Sequence, residues 1–374
     1  MPRTLIIKFG AIGDVVMAIP AVRQLHETGH TVDWVCGPVV LPLLQLYPWI
    51  NPILADERAI LKGSTTERMR AIAALWRTLA GSRYDVAATL YFDARYRLLA
   101  LPVRARRKLM LSHTERSLRL LPGRHHTDEY ARMLLGRPDE VNPTQLAPVE
   151  PARNLLPSTP LPRSLRTRVV LAPAGARNLM SDDALRRWPA EHYVALAQSL
   201  LRRGIEVVLI GGPEDTWVQP LFASVDPVAC IDLIGKLSLP ETLALVDKAD
   251  LLVTHDTGPL HLAGITRVSV VGLFGPTDPR GRLPQRAGTA AIWGGEGFAC
   301  RPCYDGRSFA PCPANECLGR VSPALVLAEA IKMLDERAQG FLAPPRIVTP
   351  ESTVAPHTFT LPGAAILNST GRPK

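Results

Sequence analysis

Apolar residues run along this chain in short blocks whose period switches between that of a strand and that of a helix. Residues 4–9 (Thr-Leu-Ile-Ile-Lys-Phe) form an apolar run closed by Gly10, the pattern of a buried strand. From Gly13 to about Glu27, Val15, Val16, Ile19, Val22 and Leu25 recur on one helical stripe, with Pro20 placed to kink it. A strand is predicted over 31–36, a helix over 66–79 behind Ser64-Thr65-Thr66, and further strands over 85–90 and 108–111. Repeated strand–helix units imply a parallel sheet covered on both faces.

Prolines at 148, 151, 157, 160 and 162 then interrupt the pattern. Such a density disfavours helix and central strand and reads as a linker. The alternation restarts with strands over 168–172, 206–210, 250–254 and 268–274 and helices over 190–203, 240–248 and from Pro259 to Gly264. A last amphipathic helix is expected over 322–336. The organisation expected is therefore a first Rossmann-like domain over 1–156, a linker over 157–166, and a second Rossmann-like domain over 167–321. A helical segment over 322–339 and a loosely ordered tail over 340–374 follow.

The 374 residues suit two domains, and 47% hydrophobic with 21% charged residues excludes wholesale disorder. No apolar stretch approaches the roughly 20 residues of a membrane helix. Lys8 and Asp14 break the N-terminal apolar run, which reads as strand–loop–helix rather than a signal peptide. A cytoplasmic protein is expected. The net charge of +9 favours anionic partners. Aromatic residues are only 6%, and no RNA-binding or zinc-finger signature is present, so nucleic acid is not the expected partner. Neither half carries G-x-G-x-x-G, a P-loop, G-x-S-x-G or H-E-x-x-H.

Two segments carry chemistry. One is Phe9-Gly-Ala-Ile-Gly-Asp-Val-Val16; the other is His255-Asp-Thr-Gly-Pro-Leu-His-Leu-Ala-Gly264, followed by Phe274-Gly-Pro-Thr-Asp-Pro279. In the second, Gly258 stands at a strand-to-helix turn, where free backbone N–H groups and the helix dipole would attract a diphosphate. Thr257 and His261 add side-chain donors and Asp256 precedes the turn; the competing role for Asp256 or Thr257 is a simple helix cap. Together the two segments resemble glycosyltransferase family 9, the ADP-heptose:lipopolysaccharide heptosyltransferases, over about residues 4–336. The resemblance implies the α/β GT-B fold, two Rossmann-like domains facing across a cleft, with the final helix, 322–339 here, crossing back to the first domain.

The resemblance also implies roles. Asp14 is the general base of an inverting transfer that needs no cofactor, and its alternative is a helix cap. Donor contacts fall on Ala174, Gly175, Arg186, Glu214, Leu237, Asp256, Thr257, Gly258 and His261. Arg186 stands where the family usually has Lys, with Arg187 as its fallback. Lys8, Arg95 and Arg97 are candidates for the acceptor side, which would take a lipid A–core glycolipid. The Arg-rich first half would also favour peripheral attachment to the anionic inner membrane. A protein hydroxyl as acceptor, or a nucleotide-binding module without catalysis, are the rival readings.

Of six cysteines, Cys36 and Cys230 lie in apolar strands and read as core. Cys300, Cys303, Cys312 and Cys317 are spaced C-x2-C-x8-C-x4-C. Four thiolates would suit structural zinc or a single iron; disulfides or unliganded thiols are the alternatives.

Overall fold

The structure is a computed structural model, and it describes residues 1–137, 146–162, 164–298, 300, 303, 309–312 and 314–350. The first domain carries strands β1 (Arg3–Ile7), β2 (Thr31–Cys36), β3 (Ile50–Leu54), β4 (Arg83–Thr89) and β5 (Arg104–Met110). Its helices are α1 (Ile12–Glu27), α2 (Leu41–Leu44), α3 (Glu57–Lys62), α4 (Thr65–Leu79), α5 (Ala94–Leu99) and α6 (His126–Leu134). All strands pair in parallel, in the order β3-β2-β1-β4-β5. β1 is central and its apolar residues are buried, as a strand with helices on both faces requires. Pro20 lies inside α1 without ending it. α4 starts at a capping box in which Ser64 and Glu67 satisfy each other's backbone N–H groups.

The second domain has β6 (Arg168–Ala172), β7 (Glu206–Leu209), β8 (Cys230–Asp232), β9 (Leu251–His255), β10 (Ser269–Phe274), β11 (Thr289–Trp293) and β12 (Arg346–Val348). Its helices are α7 (Ala190–Leu201), α8 (Leu239–Lys248), α9 (Gly258–Gly264), α10 (Glu316–Gly319) and α11 (Pro323–Ala338). The sheet is parallel throughout, ordered β12-β11-β10-β9-β6-β7-β8. Two parallel α/β sheets with covering helices are the architecture the resemblance implies.

In such open sheets ligands bind beyond the carboxyl ends of the strands where the strand order reverses. Here those points are β1/β4 in the first sheet and β6/β9 in the second. α1 packs on α9 and α2 on α8, so Leu243, Leu262 and Ile265 of the second domain join a core built mainly from α1 and β2.

Two expectations need correction. α11 packs on α7, β9 and β10, so it completes the second domain rather than returning to the first. The segment after it is not uniformly loose: Arg346–Val348 adds an edge strand to β11, held by Arg346 on Glu329 and Glu336. Residues 351–374 lie outside the described residues. Among the described residues, no helix is long and apolar enough to cross a membrane.

Candidate active site

The first-domain wall is built by β1 and the start of α1. Lys8 follows β1 and is buried, and its Nζ donates to Asp14 Oδ2 at 2.7 Å. The same ammonium lies 4.7 Å from the Tyr91 ring centroid. Asp14 stands in the first turn of α1, one of that helix's acidic-favouring positions. Ala11, and not Asp14, is the N-cap of this helix, so the side chain is not spent on capping. Burial raises the Asp14 carboxyl, but the charge and hydrogen bond of Lys8 outweigh it, with smaller help from His126 and Arg282, and hold it at about 2. Asp14 is ionised at any physiological pH.

The second-domain wall centres on Asp256, which is buried beyond the end of β9. Three cationic or protonatable groups surround its carboxylate: Arg186 Nη1 at 3.6 Å, Arg282 Nε at 3.6 Å and His261 Nε2 at 3.8 Å. All three are too far for hydrogen bonds, and both Asp256 oxygens lack a hydrogen-bond partner among the described residues. Burial works against the charge, yet Arg282, His261 and Arg186 keep this carboxyl well below its ordinary range. The result is a preorganised anion with two guanidinium groups around it, a cluster able to exchange partners when a second anion enters.

The loop after β6 is fixed beside this cluster. Gly175 N donates to Asp215 Oδ1 and Ala176 N to Thr257 Oγ1. Gly175 has φ +95°, and a Cβ there would meet Thr257 Oγ1 at 2.8 Å. Glycine is therefore needed both for the conformation and for the close approach. Arg187 braces the loop from outside, donating through Nε to Gly175 O at 2.8 Å. The structure thus separates the two arginines: Arg186 reaches Asp256, and Arg187 supports the backbone.

The walls meet. A Cβ on Gly13 would lie 2.4 Å from His261 Cδ2, and one on Gly258 would lie 3.4 Å from Ile12 Cδ1. His125, the N-cap of α6, is joined to Leu283 O through Nε2 at 3.0 Å, while its Nδ1 accepts from Thr127 N. This geometry assigns the proton to Nε2 and a neutral ring; burial first, then nearby charge, lowers its pKa to about 4. Gln285 Nε2 donates to Asp128 Oδ2 at 3.1 Å across the same seam. Arg282, just beyond the turn at Pro279–Gly281, acts electrostatically on Asp14, His126 and Asp256 together.

The residues expected from sequence divide accordingly. Asp14, Lys8, Arg186, Asp256, Thr257, Gly258 and His261 gather at the cleft, with Ala174 and Gly175 beside them. Glu214 is exposed and 3.8 Å from Arg177; its neighbour Asp215 is the residue tied into the loops, bonding Gly175 N and Gly212 N. Leu237 is half-buried against the second-domain core. Arg95 is engaged by Asp93 and Leu61 O, and Arg97 is exposed. Arg282, His125 and His126 were missed. The nearest signal for Arg282 is that it follows Phe274-Gly-Pro-Thr-Asp-Pro279 by three residues; the histidine pair sits in a stretch with no predicted element.

The expected metal centre does not fit. Among the described residues no three His, Cys, Asp or Glu side chains are grouped to hold an ion. Cys312 Sγ accepts from Asn315 N, Cys317 Sγ donates to Asn315 Oδ1 at 3.5 Å, and Cys303 Sγ donates to Cys300 O at 3.5 Å. Cys300 and Cys312 are exposed while Cys317 is buried, so the thiols do not converge.

Comparison with known proteins agrees with this geometry. Residues 150–309 match the family described as Glycosyltransferase family 9 (heptosyltransferase). Lipopolysaccharide heptosyltransferase 3 of Escherichia coli K12 is 24% identical over 311 residues, covering 76% of this chain and 85% of that protein. The solved structure of E. coli ADP-heptose lipopolysaccharide heptosyltransferase II superposes with a TM-score of 0.66 at 18% identity, covering 90% of this chain and all of that one. A family 9 glycosyltransferase from Veillonella parvula does so with a TM-score of 0.66 at 20% identity, covering 90% and 97%. The second-domain motif, the relatives that span both halves and the paired parallel sheets converge: this chain is similar to the heptosyltransferases of glycosyltransferase family 9, whose model matches its residues 150–309.

Proposed function

We propose that the protein transfers heptose from ADP-heptose to a lipopolysaccharide-core acceptor, with inversion at the anomeric carbon and Asp14 as the base. The observation that carries this reading is the pairing of an ionised, first-domain carboxylate with a guanidinium cluster on the facing domain. Relatives named as lipopolysaccharide heptosyltransferases supply the sugar and the acceptor class.

In this reaction the acceptor O–H bond breaks and its oxygen bonds to the anomeric carbon. The bond from that carbon to the diphosphate breaks, and its electron pair leaves with ADP. Arg186, Arg282, His261 and the backbone at Thr257 and Gly258 stabilise the departing charge, with Ala174 and Gly175 forming the facing loop. A carboxylate held at about 2 is a weak base, so cleavage of the sugar–phosphate bond runs ahead of proton transfer. Glu214 and Leu237 lie at the carboxyl side of the sheet, where the ribose and adenine would rest. Lys8 holds Asp14 in place; Arg97 and the basic edge strand β5 face the acceptor or an anionic inner-membrane surface from the cytoplasmic side.

The test is ADP release from ADP-heptose in the presence of heptose-deficient lipopolysaccharide core, with the product's mass measured. GDP- and UDP-sugars serve as competitors. Selective use of ADP-heptose supports the reading. Tight ADP binding without transfer to any core acceptor refutes it and favours a non-catalytic nucleotide-binding module.

A further inference from the structure

The loop after β6 does more than hold Gly175 and Ala176 in place. Residues 176–183 fold back on themselves. Asp183 N donates to Ala176 O at 2.9 Å, Arg177 and Asp182 form an antiparallel bridge, and Arg177 Nη2 donates to Asp182 Oδ2 at 2.7 Å. At the tip, Asn178 Oδ1 accepts from the backbone N–H groups of Met180 and Ser181, and Asn178 N donates to Ser181 O. These local bonds are all polar and give the hairpin its shape. Arg177, Asn178 and Met180 are exposed, whereas Leu179 between them is half-buried.

Leu179 is covered by the other domain. It packs against the first-domain apolar cluster that holds Leu5, Ile7, Phe9 and Tyr96, and among the described residues it is the one second-domain side chain there. The contact of α1 with α9 joins the domains through a different core, to which Ile6 belongs. Ile6 and its neighbours Leu5 and Ile7 point to opposite faces of β1. The two domains are therefore clasped on both faces of the strand that leads to Lys8 and Asp14. Phe9 and Tyr91 both pack on Tyr96, with ring centroids 4.8 and 4.9 Å apart, and the Tyr91 ring lies beside the Lys8 ammonium that holds Asp14.

The base of the hairpin is tied to the donor side. Arg186 Nη2 donates to Asp183 Oδ2 at 2.8 Å, while its Nη1 lies 3.6 Å from Asp256. Arg187 bonds both Asp182 and Gly175 O. We propose that residues 176–183 are a strap that closes the sugar site, with Leu179 as its positioning residue: docked on the first domain, the strap bars water from the anomeric carbon and leaves the acceptor hydroxyl as the nucleophile. With the strap released, water takes that place. A water O–H bond breaks, its oxygen bonds to the anomeric carbon and its proton passes to solvent. ADP departs with the electron pair of the broken sugar–phosphate bond, and free heptose is formed. This inference rests on the transfer reading under Proposed function.

The experiment compares the full-length wild type with Leu179→Asp and Leu179→Met. Free heptose and heptosylated acceptor are measured together by mass, and ADP binding by calorimetry. In Leu179→Asp the ratio of free to transferred heptose is expected to rise about tenfold and kcat for transfer to fall about tenfold, with ADP affinity within about threefold of wild type. Leu179→Met should restore the wild-type ratio. A merely structural role would lower the melting temperature and both rates without moving that ratio. Trypsin supplies a readout that needs no chemistry: cleavage after Arg177 should be about tenfold faster in Leu179→Asp, because an undocked hairpin is open more of the time. The proposal is overturned if the ratio stays at its wild-type value, or if cleavage after Arg177 is unchanged. A wild-type chain that releases no ADP from ADP-heptose refutes the transfer reading instead, and the tryptic comparison then still decides whether Leu179 docks the strap.

Discussion

Gly13→Ala probes the contact between the two domains more cleanly than any charged substitution. Gly13 is in the first turn of α1, and the new methyl would stand 2.4 Å from His261 Cδ2 and 2.7 Å from its Nε2. Carbon atoms in contact sit about 3.5–4.0 Å apart. The walls must therefore separate by about 1 Å, or the buried His261 ring must leave its place. Overpacking of this kind costs about 1–3 kcal/mol. Within α1 itself the substitution is favourable, because alanine exceeds glycine in helix propensity by up to about 1 kcal/mol. The cost thus falls on domain closure and not on folding. The melting temperature should hold or rise, while kcat/KM for ADP-heptose falls about 5–150-fold, the equivalent of that energy. Small-angle scattering with ADP present should show a more open particle than the wild type. A variant with wild-type kcat/KM and an unchanged scattering profile would refute the idea that this close approach belongs to the working state.

Acid stability offers a second test. His125, His126 and His255 are held neutral, with pKa values lowered to about 4, 3 and 3, chiefly by burial. The unfolded chain takes up protons on all three near pH 6.5 and the folded chain does not, so the stability they confer is present above that pH and is lost on acidification. Near pH 5 the loss approaches about 4 kcal/mol per pH unit from these groups together, read from urea midpoints at pH 7, 6 and 5; a flat stability over that range contradicts it. Gly175→Ala combines a φ of +95° with a 2.8 Å approach to Thr257 Oγ1, and calorimetry should show ADP affinity weakened tenfold or more with the fold retained. Equal ADP affinity in that variant would mean the loop after β6 is not part of the donor site.

Legibility from sequence followed how each residue is held. β2 and β6 are plain apolar runs between turn residues, and they fall where periodicity puts them. β5 extends well before its expected start because Arg104, Arg106 and Arg107 occupy a solvent-facing edge, where charge hides a strand from any hydrophobic pattern. β12 lies in a proline-rich stretch and is fixed by long-range pairing to β11 and by Arg346. In the cleft, local motifs carried Asp14 and the Asp256–His261 turn. Arg282 and His126 matter only because two distant loops meet across the domain seam, a relation that no spacing along the chain encodes. The cysteine spacing suggested a ligand set, but the fold buries Cys317 behind Gly275 while Cys312 stays exposed.

The most direct test is single-turnover transfer by Asp14→Asn, which keeps an oxygen for Lys8 while removing the base. Circular dichroism and ADP titration should match the wild type, showing the fold and donor site intact. Heptose transfer from ADP-heptose should then fall by about 10²–10⁴-fold. Transfer at near wild-type rate, with the same fold and ADP affinity, would contradict the assignment of Asp14 as the base.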